Sequence, residues 1–168
     1  MWSEQEDIEV APLNSKSYLT VPVKTLLARN DPKGVVFLTE LLVGGKRVSS
    51  NEHFFGAYKN LTLPRPQITA DVLPVRGGFK ITLTADKFAR VVYLAAPKYD
   101  GSFTDNYFDL IPGQKVEVVF RTGATAIALS DFRKQLKIRS MADAFYVSPG
   151  SEQSVLNRPP SQRSWRTK

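Results

Sequence analysis

With 168 residues, 42% of them hydrophobic and 23% charged, the chain is long enough for one ordinary domain or two small ones and apolar enough to fold. It has no cysteine and a single histidine, His53, which excludes disulfides, thiolate chemistry and a zinc site of the usual ligand types. The formal charge of +7 raises nucleic acid as a partner, but Arg158, Arg163, Arg166 and Lys168 are clustered near the end, the other cations are scattered, and no nucleic acid is expected.

The start, Met1-Trp2-Ser3-Glu4-Gln5-Glu6-Asp7, is acidic where a signal peptide is basic, so an export signal is expected outside the chain. No apolar run nears the roughly eighteen residues of a membrane span, and no membrane partner is expected. Asp31-Pro32-Lys33-Gly34 combines turn-forming residues. Val35, Phe37, Thr39, Leu41 and Val43 then alternate, and Gly44-Gly45 leads into a second extended run from Arg47 to Phe55. Two glycines supply the positive φ angles of a tight turn, so this stretch predicts a hairpin. Leu61-Thr62-Leu63-Pro64-Arg65-Pro66 reads as a boundary, because proline stiffens a linker and cannot donate to a ladder.

Beyond it, Arg76-Gly77-Gly78 predicts a turn, and Phe79, Ile81 and Leu83 alternate with Lys80, Thr82 and Thr84. Val91-Val92-Tyr93-Leu94 suits a central strand, Asp100-Gly101 and Pro112-Gly113 mark turns, and Val116, Val118 and Phe120 alternate again. Leu136 and Ile138 repeat the pattern between Lys137 and Arg139, and no strong amphipathic helix is evident. Short strands separated by turns predict an all-β chain: an immunoglobulin-like β-sandwich preceded by a truncated second β-sandwich. The expected divisions are 1–65 for the partial immunoglobulin-like domain, 66–148 for the complete sandwich and 149–168 for a disordered basic tail. About three or four strands are expected before the boundary, too few to cover both sheet faces, so Val35, Phe37 and Leu41 are expected to be poorly covered.

Several segments are more specific. Ser49-Ser50-Asn51-Glu52-His53-Phe54-Phe55, followed by Lys59-Asn60-Leu61-Thr62-Leu63-Pro64, is similar to the end of the penultimate domain in family 2 glycoside hydrolases of the β-mannosidase type. Phe103-Thr104-Asp105-Asn106-Tyr107-Phe108-Asp109-Leu110-Ile111-Pro112-Gly113 resembles the signature of their C-terminal immunoglobulin-like domain. Ala85-Asp86-Lys87-Phe88-Ala89 and Leu136-Lys137-Ile138-Arg139-Ser140-Met141-Ala142-Asp143 fall where that domain has two further elements, and the resemblance spans residues 5–147. Within the signature, Asp105 and Asn106 are expected to cap a turn, Phe108 and Leu110 to point inward, and Pro112-Gly113 to close a turn.

The resemblance implies five domains in the parent enzyme, with a (β/α)8 barrel in the middle. It implies that this chain corresponds to the back half of the fourth domain and the whole fifth. It also implies a parent that removes terminal β-D-mannose with retention, from a secreted, periplasmic or lysosomal location. The chain is then a non-catalytic accessory region whose partner is the catalytic barrel domain of the parent, with an oligosaccharide as a further partner. No catalytic, cofactor-binding or metal-binding residue is assigned, and no cofactor is expected. The second reading is a stand-alone carbohydrate-binding β-sandwich.

Some residues invite stronger readings. Asn51-Glu52 mimics the acid/base dipeptide of such enzymes but follows a hairpin, not a barrel strand. Ser49 or Ser50 with His53 is only a sequence neighbourhood, since triads are assembled in space. Asp100, Asp105 and Asp109 with Asn106 offer oxygen ligands without the spacing of a calcium loop. Phe54, Phe55 and Tyr58, or Tyr99, Phe103 and Tyr107, are possible sugar platforms and, more ordinarily, packing pairs. Asn60-Leu61-Thr62 is a glycosylation sequon.

Overall fold

The computed structural model describes residues 3–123 and 127–145, and the tail expected from residue 149 lies outside them. The chain divides into two compact units, residues 1–62 and 63–168.

In the first unit, helix α1 (Val23–Leu27) is followed by strands β1 (Val36–Val43) and β2 (Lys46–Phe54). The strands pair antiparallel, with an irregularity between Leu41 and Leu42. Gly44 and Gly45 have φ of 57° and 75°, the left-handed pair that matches the right-handed twist of a hairpin. Only two strands form among the described residues, fewer than expected. Pro12 and Pro22 lack amide donors and interrupt the preceding segment, which reaches α1 without joining a ladder. None of the unit's described residues is buried: Val35 and Phe37 are half-buried, while Leu41 is exposed.

Among its described residues the second unit holds seven strands in two sheets, the strand count of a constant-type immunoglobulin domain. They are β3 (Ile68–Val75), β4 (Gly78–Ala85), β5 (Ala89–Ala95), β6 (Ser102–Phe103), β7 (Phe108–Leu110), β8 (Val116–Arg121) and β9 (Lys137–Arg139). One sheet runs β3-β4-β8-β6 and the other β7-β5-β9, with antiparallel pairing throughout. Strand β4 shows why the alternation is informative. Phe79, Ile81, Leu83 and Ala85 are buried while the residues between them are half-exposed, as a sheet with one face in the core requires. Full burial of a side chain such as Ile81 stabilises the fold by about 1.5–3 kcal/mol.

Strand β5 occupies the centre of its sheet, where the apolar run Val91–Leu94 was expected to lie. Its register is broken between Ala89 and Val92, and Val91 adopts φ 49°. The core joins Ile81 and Phe120 of one sheet to Val92, Leu94 and Leu110 of the other, which makes the unit a sandwich.

A short helix accompanies the strands of the second unit. Helix α2 (Leu129–Gln135) closes the core with Phe132, which has no exposed surface and stacks on Phe79 at 4.1 Å with 9° between the rings. Seven residues make barely two turns, too few for a helical period to emerge from the sequence. Arg133 donates to the Val72 carbonyl at 2.9 Å, tying the helix to β3.

Candidate functional site

The signature from Phe103 to Leu110 crosses from one sheet of the sandwich to the other. At its start, the Thr104 amide donates to the Val119 carbonyl at 2.9 Å, and the Val119 amide donates to Thr104 Oγ1 at 2.9 Å. Phe103 packs against Phe120 with ring centroids 5.0 Å apart. Three residues later the chain is bonded to β5. Asn106 Oδ1 accepts from the Leu94 amide at 2.8 Å, and Asn106 Nδ2 donates to the Leu94 carbonyl at 2.9 Å. The Tyr107 amide donates to the Val92 carbonyl at 2.8 Å, with Tyr107 at φ 64°.

Asp109 completes the crossing. Its Oδ2 accepts from Arg90 Nη1 at 2.6 Å, and its Oδ1 accepts from the Val91 amide at 2.7 Å. Both side chains are largely withdrawn from water, at 13% and 11% exposure. Such a pair offsets its desolvation only when further hydrogen bonds complete it, as the Val91 amide does here. The same bond stabilises the irregular backbone at Val91, where a β-branched residue sits in a region it rarely enters. Pro112-Gly113 forms the expected turn: Gly113 has φ 79° and the Gln114 amide donates to the Ile111 carbonyl at 3.0 Å.

These contacts decide the fate of the candidate ligands. Asp109 is committed to Arg90 and Val91, and Asp105 accepts from the Asn106 amide at 2.8 Å. Among the described residues no group of three or more histidine or carboxylate side chains converges as a metal would require. Glu52 and His53 lie on β2, opposite Leu38 and Phe37. His53 is exposed and meets the Phe55 ring edge-on at 5.1 Å. Ser49 lies four residues back on the same extended strand, a spacing of about 13 Å along the chain, beyond hydrogen-bond reach. Glu52, His53, Phe54 and Tyr58 line a shallow hollow of about 340 Å³. Asn60 is exposed at the end of a single 3-10 turn.

The aromatic groups separate. Tyr99 and Phe103 pack on the core, and Phe54 meets Tyr58 edge-on at 5.5 Å. Tyr107 instead turns outward and stacks on Tyr93, with centroids 5.2 Å apart and 27° between the rings. In the sequence Tyr93 belongs to an apolar run that suits a central strand, with nothing that links it to Tyr107. The only signal available was its place in β5 next to alternating buried residues, which turns Tyr93 outward. On the other sheet, Lys80 donates to Glu117 at 3.0 Å and holds its exposed carboxyl below the usual carboxylate range.

Residues 63–144 match the mannosidase immunoglobulin-fold domain, and residues 1–60 match the mannosidase Ig/CBM-like domain. Among solved structures, the chain is similar to the β-D-mannosidase from Dictyoglomus thermophilum, with a TM-score of 0.54 and 20% sequence identity over 63% of this chain. That likeness supports the fold, and the chain spans 13% of the length of that protein. No curated protein matches the sequence. Each unit therefore matches a mannosidase-type immunoglobulin-like domain, and the chain resembles the C-terminal immunoglobulin-like region of β-mannosidases.

Proposed function

We propose that the chain is the non-catalytic accessory region of a glycoside hydrolase that removes terminal β-D-mannose with retention of configuration. The second unit is its C-terminal sandwich, and the first is the closing part of the sandwich before it. The region's partner is the catalytic barrel of that enzyme, against which the sandwich packs, with the oligosaccharide substrate as a further partner.

The observation that carries this reading is the succession of two mannosidase-type domains along residues 1–60 and 63–144. The chemistry of the side chains is consistent with it. Retaining hydrolysis uses two carboxylates about 5–5.5 Å apart on a rigid frame, one of them a general acid with a raised pKa. Here Asp109 is committed to the fold, Glu117 is held low by Lys80, and Glu40 is bonded to Arg47 at 2.9 Å.

The test is an assay of the purified chain on p-nitrophenyl β-D-mannopyranoside beside the protein captured from source cells by an antibody to this chain. The expected result is no release by the chain alone, and release by the captured protein with β-mannose as the first anomer seen by proton NMR. Turnover by the chain alone, or captured protein inert on β-mannosides, would overturn the proposal.

A further inference from the structure

We propose that Tyr93 and Tyr107, on the outward face of the β7-β5-β9 sheet, form a stacking site for a neutral β-linked oligosaccharide. The two residues are 38% and 64% exposed, so burial does not account for their arrangement. Tyr107 is held by its backbone, not by packing. It sits at φ 64°, a region that side-chain-bearing residues seldom adopt, and its amide is tied to Val92 while Asn106 is tied to Leu94. The fold thus fixes an exposed aromatic ring in a strained backbone position over a second exposed ring.

The size of the patch selects the ligand. Tyrosine offers about 150–250 Å² of surface, so the exposed surface of the two residues together amounts to about 200 Å² at most. A stable protein interface buries about 800 Å² on each partner around an apolar centre. Among the described residues of β5, β7 and β9, Tyr93 is the only exposed large hydrophobic residue, so the patch does not extend along the sheet. Its surroundings are polar. In register, Arg139 lies opposite Tyr93 and Lys137 opposite Ala95, both exposed. A ring face bordered by hydrogen-bond donors matches a pyranose, which presents an apolar C–H face and hydroxyl acceptors at its rim.

The stacking site rests on this geometry, whereas the identity of the sugar as a β-mannoside rests on the function proposed above. The two are separated by affinity electrophoresis of the 168-residue chain in gels containing galactomannan, hydroxyethylcellulose or polygalacturonate. Wild-type chain is expected to be retarded by galactomannan, with Tyr93→Ala and Tyr107→Gly binding at least about fivefold more weakly and Tyr107→Phe binding like wild type. Glycine suits the backbone at position 107, so Tyr107→Gly removes the ring while preserving the fold, and its circular-dichroism melting curve checks this. Retardation by hydroxyethylcellulose alone, still dependent on Tyr107, would support the stacking site and count against the mannoside reading. The site is overturned if no neutral polymer retards the chain or if Tyr107→Gly is retarded equally. It is also overturned if only polygalacturonate acts and salt abolishes the effect, which would mean a merely cationic surface.

Discussion

Asn106 forms with Leu94 the two hydrogen bonds that a neighbouring strand would otherwise supply, accepting from its amide at 2.8 Å and donating to its carbonyl at 2.9 Å. One side chain thereby continues the β5 ladder where β7 has not yet begun. Only a primary amide does this, because it carries an acceptor and a donor on the same planar group. Asn106→Ala is expected to lower stability by about 2 kcal/mol, since two part-buried backbone groups lose their partners. Urea unfolding of the variant measures it, and Asn106→Asp, which keeps the acceptor and loses the donor, is expected to be destabilised as well.

Removing Asp109 leaves the Arg90 charge in a largely dry setting and frees the Val91 amide. Asp109→Ala is expected to cost about 3–5 kcal/mol. Replacing both partners by apolar residues, as in Arg90→Met with Asp109→Leu, is expected to cost less than the single change, because no uncompensated charge remains. A double-mutant cycle by chemical denaturation compares the two.

Two glycines make a matched pair. A Cβ at Gly101 would overlap the Arg121 carbonyl and the Phe120 ring, whereas one at Gly34 would meet no atom within 4 Å. Gly101→Ala is therefore expected to destabilise the second unit by about 2 kcal/mol or more, through displacement of a fully packed phenylalanine. Gly34→Ala is expected to change stability by less than about 0.5 kcal/mol. Thermal unfolding of both variants distinguishes them.

Glu117 gives a pH dependence of known sign. Its carboxyl is held low by Lys80, so the folded state binds a proton less readily than the unfolded state there. The resulting stabilisation is present above the ordinary carboxylate range and is lost as pH falls through the lowered folded pKa. Glu117→Gln is expected to remove this contribution at neutral pH and to converge with wild type in acid. Because both side chains are exposed, the difference is expected to be small and to shrink with salt. Melting temperatures of the two proteins across pH 3–7, a range chosen to span about the carboxylate pKa region, measure it.

What was legible in the sequence followed from local patterns. Strand β4 was readable because every second residue is apolar, and the β1–β2 turn because two glycines stand together. Pro112-Gly113 was readable for the same reason. The partners of the signature segment were not. Asn106 reads as a turn-capping residue and Asp109 as an oxygen ligand, yet they act on Leu94, Arg90 and Val91, twelve to nineteen positions away, through a register irregularity that no local pattern announces. Tyr93 and Tyr107 are likewise joined only by that crossing. Helix α2 was hidden because a single buried residue, Phe132, carries its packing. In the first unit, alternation marked β1 and the extended run after Gly44-Gly45 marked β2, whereas the residues before them carry no alternation that would place a further strand.

Immunoblotting of source-cell extract with an antibody against these residues, with β-mannoside zymography of the same lane, tests most directly whether the chain is a non-catalytic region of a β-mannosidase. The expected result is a band several times heavier than 18.8 kDa that coincides with mannoside-hydrolysing activity. A band near 18.8 kDa, with activity elsewhere in the lane or absent, would contradict it.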